Sequence, residues 1–263
     1  MKKVLILGAN SYIGNSFQKY IGENYNDQYE VHKVSLRGQA WKEDDWSGYD
    51  SILNVTGKAH ADIGILTEEQ KQEYYAVNCD LACEAAQKAV KDGVGQYIYL
   101  SSVIVYGDSS NGGGAIHITK DTKPAPSNFY GDSKWQAEQK LQVLFEELKE
   151  DDGKNNTALA IVRPPMIYGK NSKGNFKMLV KLADKVPVFP NVKNERSMLY
   201  VENLAEFLYL LIESQKSGVF LPQNASYVTT AQMVATIAAA KKRKVHLCSW
   251  MNPFVALAKK MPW

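Results

Sequence analysis

The sequence predicts an α/β protein: a doubly wound parallel sheet followed by a smaller C-terminal lobe. Two observations carry this. In the first half, short β-branched runs alternate with longer helical patterns, the order that crossover helices impose on a parallel sheet. The first of those runs passes directly into a glycine turn and a helix, Gly8-Ala9-Asn10-Ser11-Tyr12-Ile13-Gly14.

The strands read as Lys3 to Leu7, Tyr29 to Ser35, Ser51 to Val55, Gln96 to Ser101 and Ala158 to Val162. Between them, helices are expected at Ser11 to Tyr20, at Glu68 to Lys91 with a break, and at Asn128 to Lys149, which is amphipathic. Asp151 to Asn156 reads as a surface turn. After Pro164-Pro165 the pieces shorten and Gly, Pro and Asn interrupt them, with helices expected at Asn175 to Ala183, Val201 to Ser214 and Thr229 to Ala240. We therefore divide the chain into residues 1–165 and a lobe of residues 166–263, with about 198–214 packing back on the first part.

A chain of 263 residues with 45% hydrophobic content buries a sizeable core. Its net charge of +3, from 31 basic and 28 acidic residues, is too balanced for a nucleic-acid partner, and the basic run Lys241 to Lys244 reads as a solvated helix end. Cys79, Cys83 and Cys248 cannot all pair, and Cys79 and Cys83 lack the second ligand pair of a zinc site, so no metal is expected. Reduced cysteines fit the cytoplasm. The apolar run after Met1-Lys2-Lys3 stops at Gly8, too early for a signal peptide, and no stretch reaches transmembrane length, so no membrane partner is expected.

The glycine turn suits a pyrophosphate. Gly8 permits the tight turn, Gly14 lets helix and sheet approach, and the N–H groups at the helix start face the anion, which makes Asn10, Ser11, Tyr12 and Ile13 cofactor candidates. The second strand ends Lys33-Val34-Ser35-Leu36-Arg37, without the acid that accepts hydrogen bonds from an NAD ribose. Ser35 and Arg37 suit a 2′-phosphate instead, so NADP is favoured over NAD.

Tyr130 and Lys134 stand one helical turn apart on one face. A neighbouring ammonium is expected to draw the phenol pKa down from about 10, fitting it for proton exchange with a substrate hydroxyl. Ser102, at the carboxyl end of a parallel strand, offers a hydroxyl to hold the reacting oxygen. Together the three suit oxidation of an alcohol or reduction of a ketone.

With Ser101-Ser102-Val103-Ile104-Val105-Tyr106-Gly107 and Tyr130-Gly131-Asp132-Ser133-Lys134 in place, the chain resembles, over nearly its whole length, the extended short-chain dehydrogenase/reductase family of nucleotide-sugar epimerases, dehydratases and reductases. The resemblance implies a Rossmann-like fold with Ser102 and Tyr130 catalytic, the latter as acid/base, and with Lys134 as the partner of Tyr130 and a ligand of the nicotinamide ribose. It lays Val55, Thr56, Gly57 and Pro164 against the cofactor, though the family often has His where Asn54 stands. It gives Asn78 a supporting place in the long helix, where a buried structural hydrogen bond explains an asparagine equally well. It assigns Lys58, Met166, Asn175 and Arg196 to substrate, Arg196 to the diphosphate. For Arg196 a surface ion pair with Glu195 is the alternative, and for Asn175 a helix cap.

Departures from the family pattern carry information. Ser11 replaces the usual middle glycine, and Met166 an asparagine that often contacts the sugar. The chain ends at Trp263, early for the family, so part of the substrate lobe is expected either to be missing here or never to have existed. Val103 and Ile104 occupy the positions of a dehydratase's acid pair, which argues against dehydration. What remains is hydride transfer at one sugar carbon. The stretches Arg163 to Gly169, Lys173 to Phe176 and Arg196 to Val201 resemble the branch acting at C4 of nucleotide-diphosphate sugars, which implies a 4-ketoreductase, favoured slightly over a 4-epimerase because the ribose-binding acid is absent. A non-catalytic NADP-binding regulator is the third reading. The resemblance also implies a homodimer through the helices at 68–91 and 128–149.

Overall fold

The computed structural model describes residues 1–59, 66–107, 117–150, 156–172 and 174–253. The turn expected at Asp151 to Asn156 lies, except for its last residue, outside the described residues. Through the first half the elements are β1 (Lys2–Leu7), α1 (Tyr12–Asn24), β2 (Tyr29–Val34), β3 (Ser51–Asn54), α2 (Glu68–Tyr75), α3 (Leu81–Lys91), β4 (Gln96–Leu100), α4 (Phe129–Glu150) and β5 (Ala158–Val162). There follow β6 (Met166–Tyr168), α5 (Asn175–Lys185), β7 (Val188–Pro190), β8 (Glu195–Arg196), β9 (Met198–Tyr200), α6 (Val201–Ser214), β10 (Gly218–Phe220), β11 (Val228–Thr229), α7 (Thr230–Ala240) and β12 (His246–Cys248).

The chain divides into two units. Residues 1–165 and 201–222 form the first, and residues 166–200 and 223–263 the second. The first unit holds a six-stranded sheet in the order β10-β5-β4-β3-β1-β2. Every pairing is parallel. The registers Leu7↔Val34, Leu7↔Asn54, Asn54↔Tyr99 and Leu100↔Val162 align the carboxyl ends along one edge. The chain leaves β1 toward β2 on one side and returns to β3 on the other, the reversal at which such sheets open a ligand crevice.

Burial on both faces explains the strand sequences. Val4, Leu5, Ile6 and Leu7 are almost wholly enclosed, as are Tyr97, Ile98 and Tyr99. Small residues at 82, 85, 86 and 89 give α3 a flat apolar face, and these alanines share a core cluster with Trp41 and Trp46. The two indoles stack with centroids 5.7 Å apart. Asp92 accepts the Trp46 backbone N–H, and the Lys88 ammonium lies 5.1 Å over its ring.

The break expected in the long helix is a turn of π-helix at Ala76–Asp80, which inserts an extra residue between α2 and α3. A capping box at Thr67 and Gln70 starts α2. The strand β10 was not anticipated: three residues opened by a glycine carry too little pattern to read as the sixth strand of a sheet.

In the second unit, α5 and α7 pack about a core of Ala183, Val234, Ala238 and Val245. Three two-stranded pairs accompany them: β6 with β9, β7 with β12 and β8 with β11. Among the described residues, no helix is long and apolar enough to cross a membrane. On the helices expected to build a dimer, Val143 is exposed while Leu141 and Phe145 are buried.

Candidate active site

The glycine turn after β1 takes the conformation its glycines foretell. Gly8 has φ of 111°, and a Cβ there would come within 3.3 Å of the Thr56 hydroxyl. A Cβ on Gly14 would stand 2.8 Å from the Ile6 side chain, so close contact of α1 with the sheet requires glycine. Ser11 caps α1: its hydroxyl accepts from the Gly14 N–H and its own N–H donates to the Gly8 carbonyl. A side chain in place of the family's middle glycine is thereby turned onto the helix. Asn10 is exposed, and Tyr12 and Ile13 open the first turn of α1.

The Thr56 hydroxyl is buried and has no hydrogen-bond partner among the described residues. An unmatched buried hydroxyl beside Gly8 and a helix start is a donor set suited to a dinucleotide's phosphates and ribose. At the neighbouring strand end, Ser35 and Arg37 are both exposed, and the Ser35 hydroxyl accepts the Arg37 N–H. The Gly8 N–H donates to the Val34 carbonyl, which ties this strand end to the turn.

The loop after β3 is built by amides. Asn54, fully buried, donates to the Tyr97 hydroxyl at 2.7 Å and accepts the Thr56 N–H at 2.9 Å, so the asparagine that stands where the family often has histidine shapes this loop. Val55 packs under α1, where its side chain would meet a Cβ on Gly14. Asn78, in the π-turn, is also fully buried: it accepts the Lys58 N–H and donates to the Lys58 carbonyl and the Ser133 hydroxyl. Its structural role is thus present in the geometry. The Lys58 ammonium pairs with Glu73 and lies 5.1 Å over the Tyr74 ring.

Ser102 follows β4 and accepts the Ile104 N–H, capping a 3₁₀ turn at Val103–Tyr106. The Val103 N–H donates to the carbonyl of Pro164, itself buried. Tyr130 and Lys134 lie in the first turns of α4. The buried Lys134 ammonium donates to the Leu100 carbonyl at 3.0 Å and sits 4.6 Å over the Tyr99 ring. A Cβ on Gly57 would come within 3.1 Å of that ammonium and 3.2 Å of Asn78 Oδ1, so loop, π-turn and α4 converge there.

Burial pushes Lys134 down to about 8, with Glu138 opposing. Burial, and then Tyr74, push Tyr130 up to about 12. The expected lowering of the phenol is therefore absent. The ammonium is held by Leu100 and Tyr99, and desolvation weakens its own charge, so it contributes little to a phenolate.

The remaining residues named from the sequence belong to the second unit. Met166 lies in β6 and is partly buried. Asn175 opens α5, and its side chain lies outside the described ones. Arg196 is exposed in β8, opposite Val228, and among the described residues it forms no ion pair with Glu195.

Sequence reasoning passed over two features. Tyr74 is buried with its ring 6.3 Å from that of Tyr130. Arg163 and Glu138 form a buried ion pair beneath the loop of Ser102. Glu138 was legible as the next turn of the Tyr130, Lys134 face, but nothing in the sequence pairs it with an arginine near the end of β5.

The chain belongs to the NAD dependent epimerase/dehydratase family, whose pattern matches residues 4–221. It is 31% identical over 197 residues to UDP-glucose 4-epimerase of Vibrio cholerae; the match covers 72% of this chain and 56% of that enzyme's length. It is 25% identical over 258 residues to N-acetyl-alpha-D-glucosaminyl-diphospho-ditrans,octacis-undecaprenol 4-epimerase of Escherichia coli O157:H7, covering 92% of this chain and 73% of that one. The fold is also that of dTDP-4-dehydrorhamnose reductase from Bacillus anthracis, solved with NADP: TM-score 0.73, 21% identity, and coverage of 97% of this chain and 86% of that one.

Proposed function

We propose that the protein catalyses NAD(P)-dependent hydride transfer at C4 of a sugar carried on a nucleotide diphosphate, and that it works as a 4-ketoreductase using NADPH. The observation that carries the reductase reading is the end of β2, where exposed Ser35 and Arg37 stand beside the phosphate turn in place of an acid. A guanidinium there forks onto a 2′-phosphate.

Gly8, Ser11 and the start of α1 would hold the pyrophosphate, Thr56 and Lys134 would contact the ribose and phosphates, and Gly57 and Pro164 are further candidate cofactor contacts. When bound, the nicotinamide supplies the hydride. Tyr130 Oη gives its proton to the C4 oxygen, a phenol held protonated being suited to donate during reduction. Ser102 Oγ donates a hydrogen bond to the same oxygen and orients it. Lys134, one helical turn from Tyr130 and held by the Leu100 carbonyl, would serve the nicotinamide ribose. Candidate contacts for the sugar diphosphate are Lys58, Met166, Asn175 and Arg196.

A second reading, 4-epimerase, is favoured by the Vibrio cholerae relative, which bears that name at 31% identity. The two separate in one experiment. Purified protein is assayed for bound dinucleotide, then given NADPH with a 4-keto nucleotide sugar, and in parallel UDP-hexoses with no added cofactor. Consumption of NADPH matched by loss of the keto sugar supports the reductase. Retained NAD together with interconversion of two UDP-hexoses establishes the epimerase instead.

A further inference from the structure

Tyr130, Lys134 and Glu138 recur every four residues along α4 and so share the face turned to the sheet. Glu138 is fully buried and Arg163 nearly so. The Arg163 Nε donates to both Glu138 oxygens, at 3.1 and 3.0 Å, and a second guanidinium nitrogen completes the fork. Ser101, the neighbour of Ser102, donates its hydroxyl to Glu138 Oε1. A third guanidinium nitrogen donates to Tyr106, the last residue of the turn that Ser102 caps, and the guanidinium lies 5.1 Å over that ring.

The ion pair therefore touches each segment that presents a candidate catalytic side chain: the end of β4, the 3₁₀ turn after it, and α4. An apolar pair of equal volume would hold α4 to the sheet as well or better, because desolvating two charges offsets their attraction. Stability alone does not account for ions at this place. We propose that Glu138, clamped by Arg163, is a positioning residue for the Ser102, Tyr130 and Lys134 set, fixing their segments in register and placing a carboxyl group one helical turn from Lys134.

The groups facing each charge can be named. Around Glu138 stand Arg163 from the end of β5, Ser101 and Tyr99 from β4 and its exit, and Lys134 on its own helix. Around Lys134 stand the Leu100 carbonyl, the Tyr99 ring and the Asn78 carboxamide beside Gly57. Of these, Glu138 is the one carboxylate, and it opposes the burial that strips Lys134 of its proton. The inference rests on the reading of Ser102, Tyr130 and Lys134 given above.

The test is a pH titration of the cofactor-free full chain carrying ¹³C at lysine Cε, read by NMR, with the Lys134 resonance identified by its loss in Lys134→Met. The wild-type resonance is expected to titrate near 8. Glu138→Gln is expected to move it down by about 1 pH unit. Glu138→Leu/Arg163→Met, which removes both members of the ion pair together, is expected to move it in the same direction, and Glu138→Asp to keep most of the wild-type value. In turnover, Glu138→Gln is expected to lower kcat about tenfold with KM nearly unchanged, and to bring the alkaline limb of the profile to lower pH. A Lys134 titration unmoved in the folded double variant overturns the proposal. Wild-type protein without hydride-transfer activity overturns the functional reading instead, and the NMR shift is still measured.

Discussion

Asn78 and Lys58 form a reciprocal pair: the carboxamide oxygen accepts the Lys58 N–H at 2.7 Å, and the carboxamide nitrogen donates to the Lys58 carbonyl at 3.1 Å. A side chain in a π-turn thus behaves like a strand neighbour, closing the loop after β3 onto the helix. The same nitrogen reaches the Ser133 hydroxyl, which donates to the Tyr130 carbonyl, so the pair also reaches the start of α4.

Asn78→Ala is therefore expected to loosen two elements at once. Leaving the Lys58 N–H without its buried acceptor costs roughly 1–3 kcal/mol. Stability should fall by that order in denaturant titration, and NADPH should bind about tenfold more weakly by fluorescence because Gly57 is no longer held against Lys134. A loss of stability with unchanged cofactor affinity would confine Asn78 to the fold.

Tyr130→Phe removes the proton donor and little else. Turnover should fall by about 10²–10⁴-fold, while the cofactor dissociation constant and melting temperature stay near wild type. A variant that keeps its turnover would assign the proton transfer to another group, and a protein indifferent to the change in every assay would fit a regulator.

The buried lysine carries a stability signature whose sign is fixed. Lys134 titrates near 8 in the folded chain and at its ordinary 10.5 when unfolded. Between those values the unfolded state binds more protons, so the contribution of Lys134 to stability rises with pH across that window. Tyr130 acts in the opposite sense, but only from about 10 to about 12, where the folded state keeps the proton. Urea midpoints taken between pH 8 and 10 should therefore rise less steeply in Lys134→Met than in wild type. Parallel curves would mean that Lys134 is not desolvated.

Trp46 tests the core rather than the site. Its indole is about 1% exposed, stacks on Trp41 and belongs to the cluster that contains the alanine face of α3. Trp46→Ala should destabilise the chain by roughly 3–5 kcal/mol, read as a lower denaturation midpoint, because the cavity it leaves is too large for its neighbours to fill.

What the sequence makes legible depends on how local the cause is. The strand β5 and the helix α6 have the limits their apolar patterns imply, since each is fixed by its own run of residues. Gly8 and Gly14 announce their turn because the first takes a φ of 111° that side chains disfavour and a Cβ on the second would stand 2.8 Å from Ile6, a residue of the strand that opens the motif. Tyr130 and Lys134 are legible as a helical pair, but the direction of the phenol's shift is not. That direction depends on burial, on Tyr74 from another helix and on a carbonyl of β4, none of which lies near in sequence. The Arg163–Glu138 pair is hidden for the same reason: 25 positions separate its members, and only the packing of α4 over the ends of β4 and β5 joins them.

Cofactor choice rests on Arg37. The residue is exposed just beyond the end of β2 and its backbone N–H is held by Ser35. A forked contact to a dianionic phosphate contributes on the order of 1.5–3 kcal/mol, about tenfold to a hundredfold in affinity. Arg37→Ala should therefore raise the NADPH dissociation constant by that factor and leave NADH binding nearly unchanged, since NADH presents no phosphate there. Fluorescence titration with both cofactors measures the ratio directly. Equal weakening of the two would make Arg37 a general contact for the adenosine half, and wild-type protein that prefers NADH would remove the reason for favouring a reductase over an epimerase.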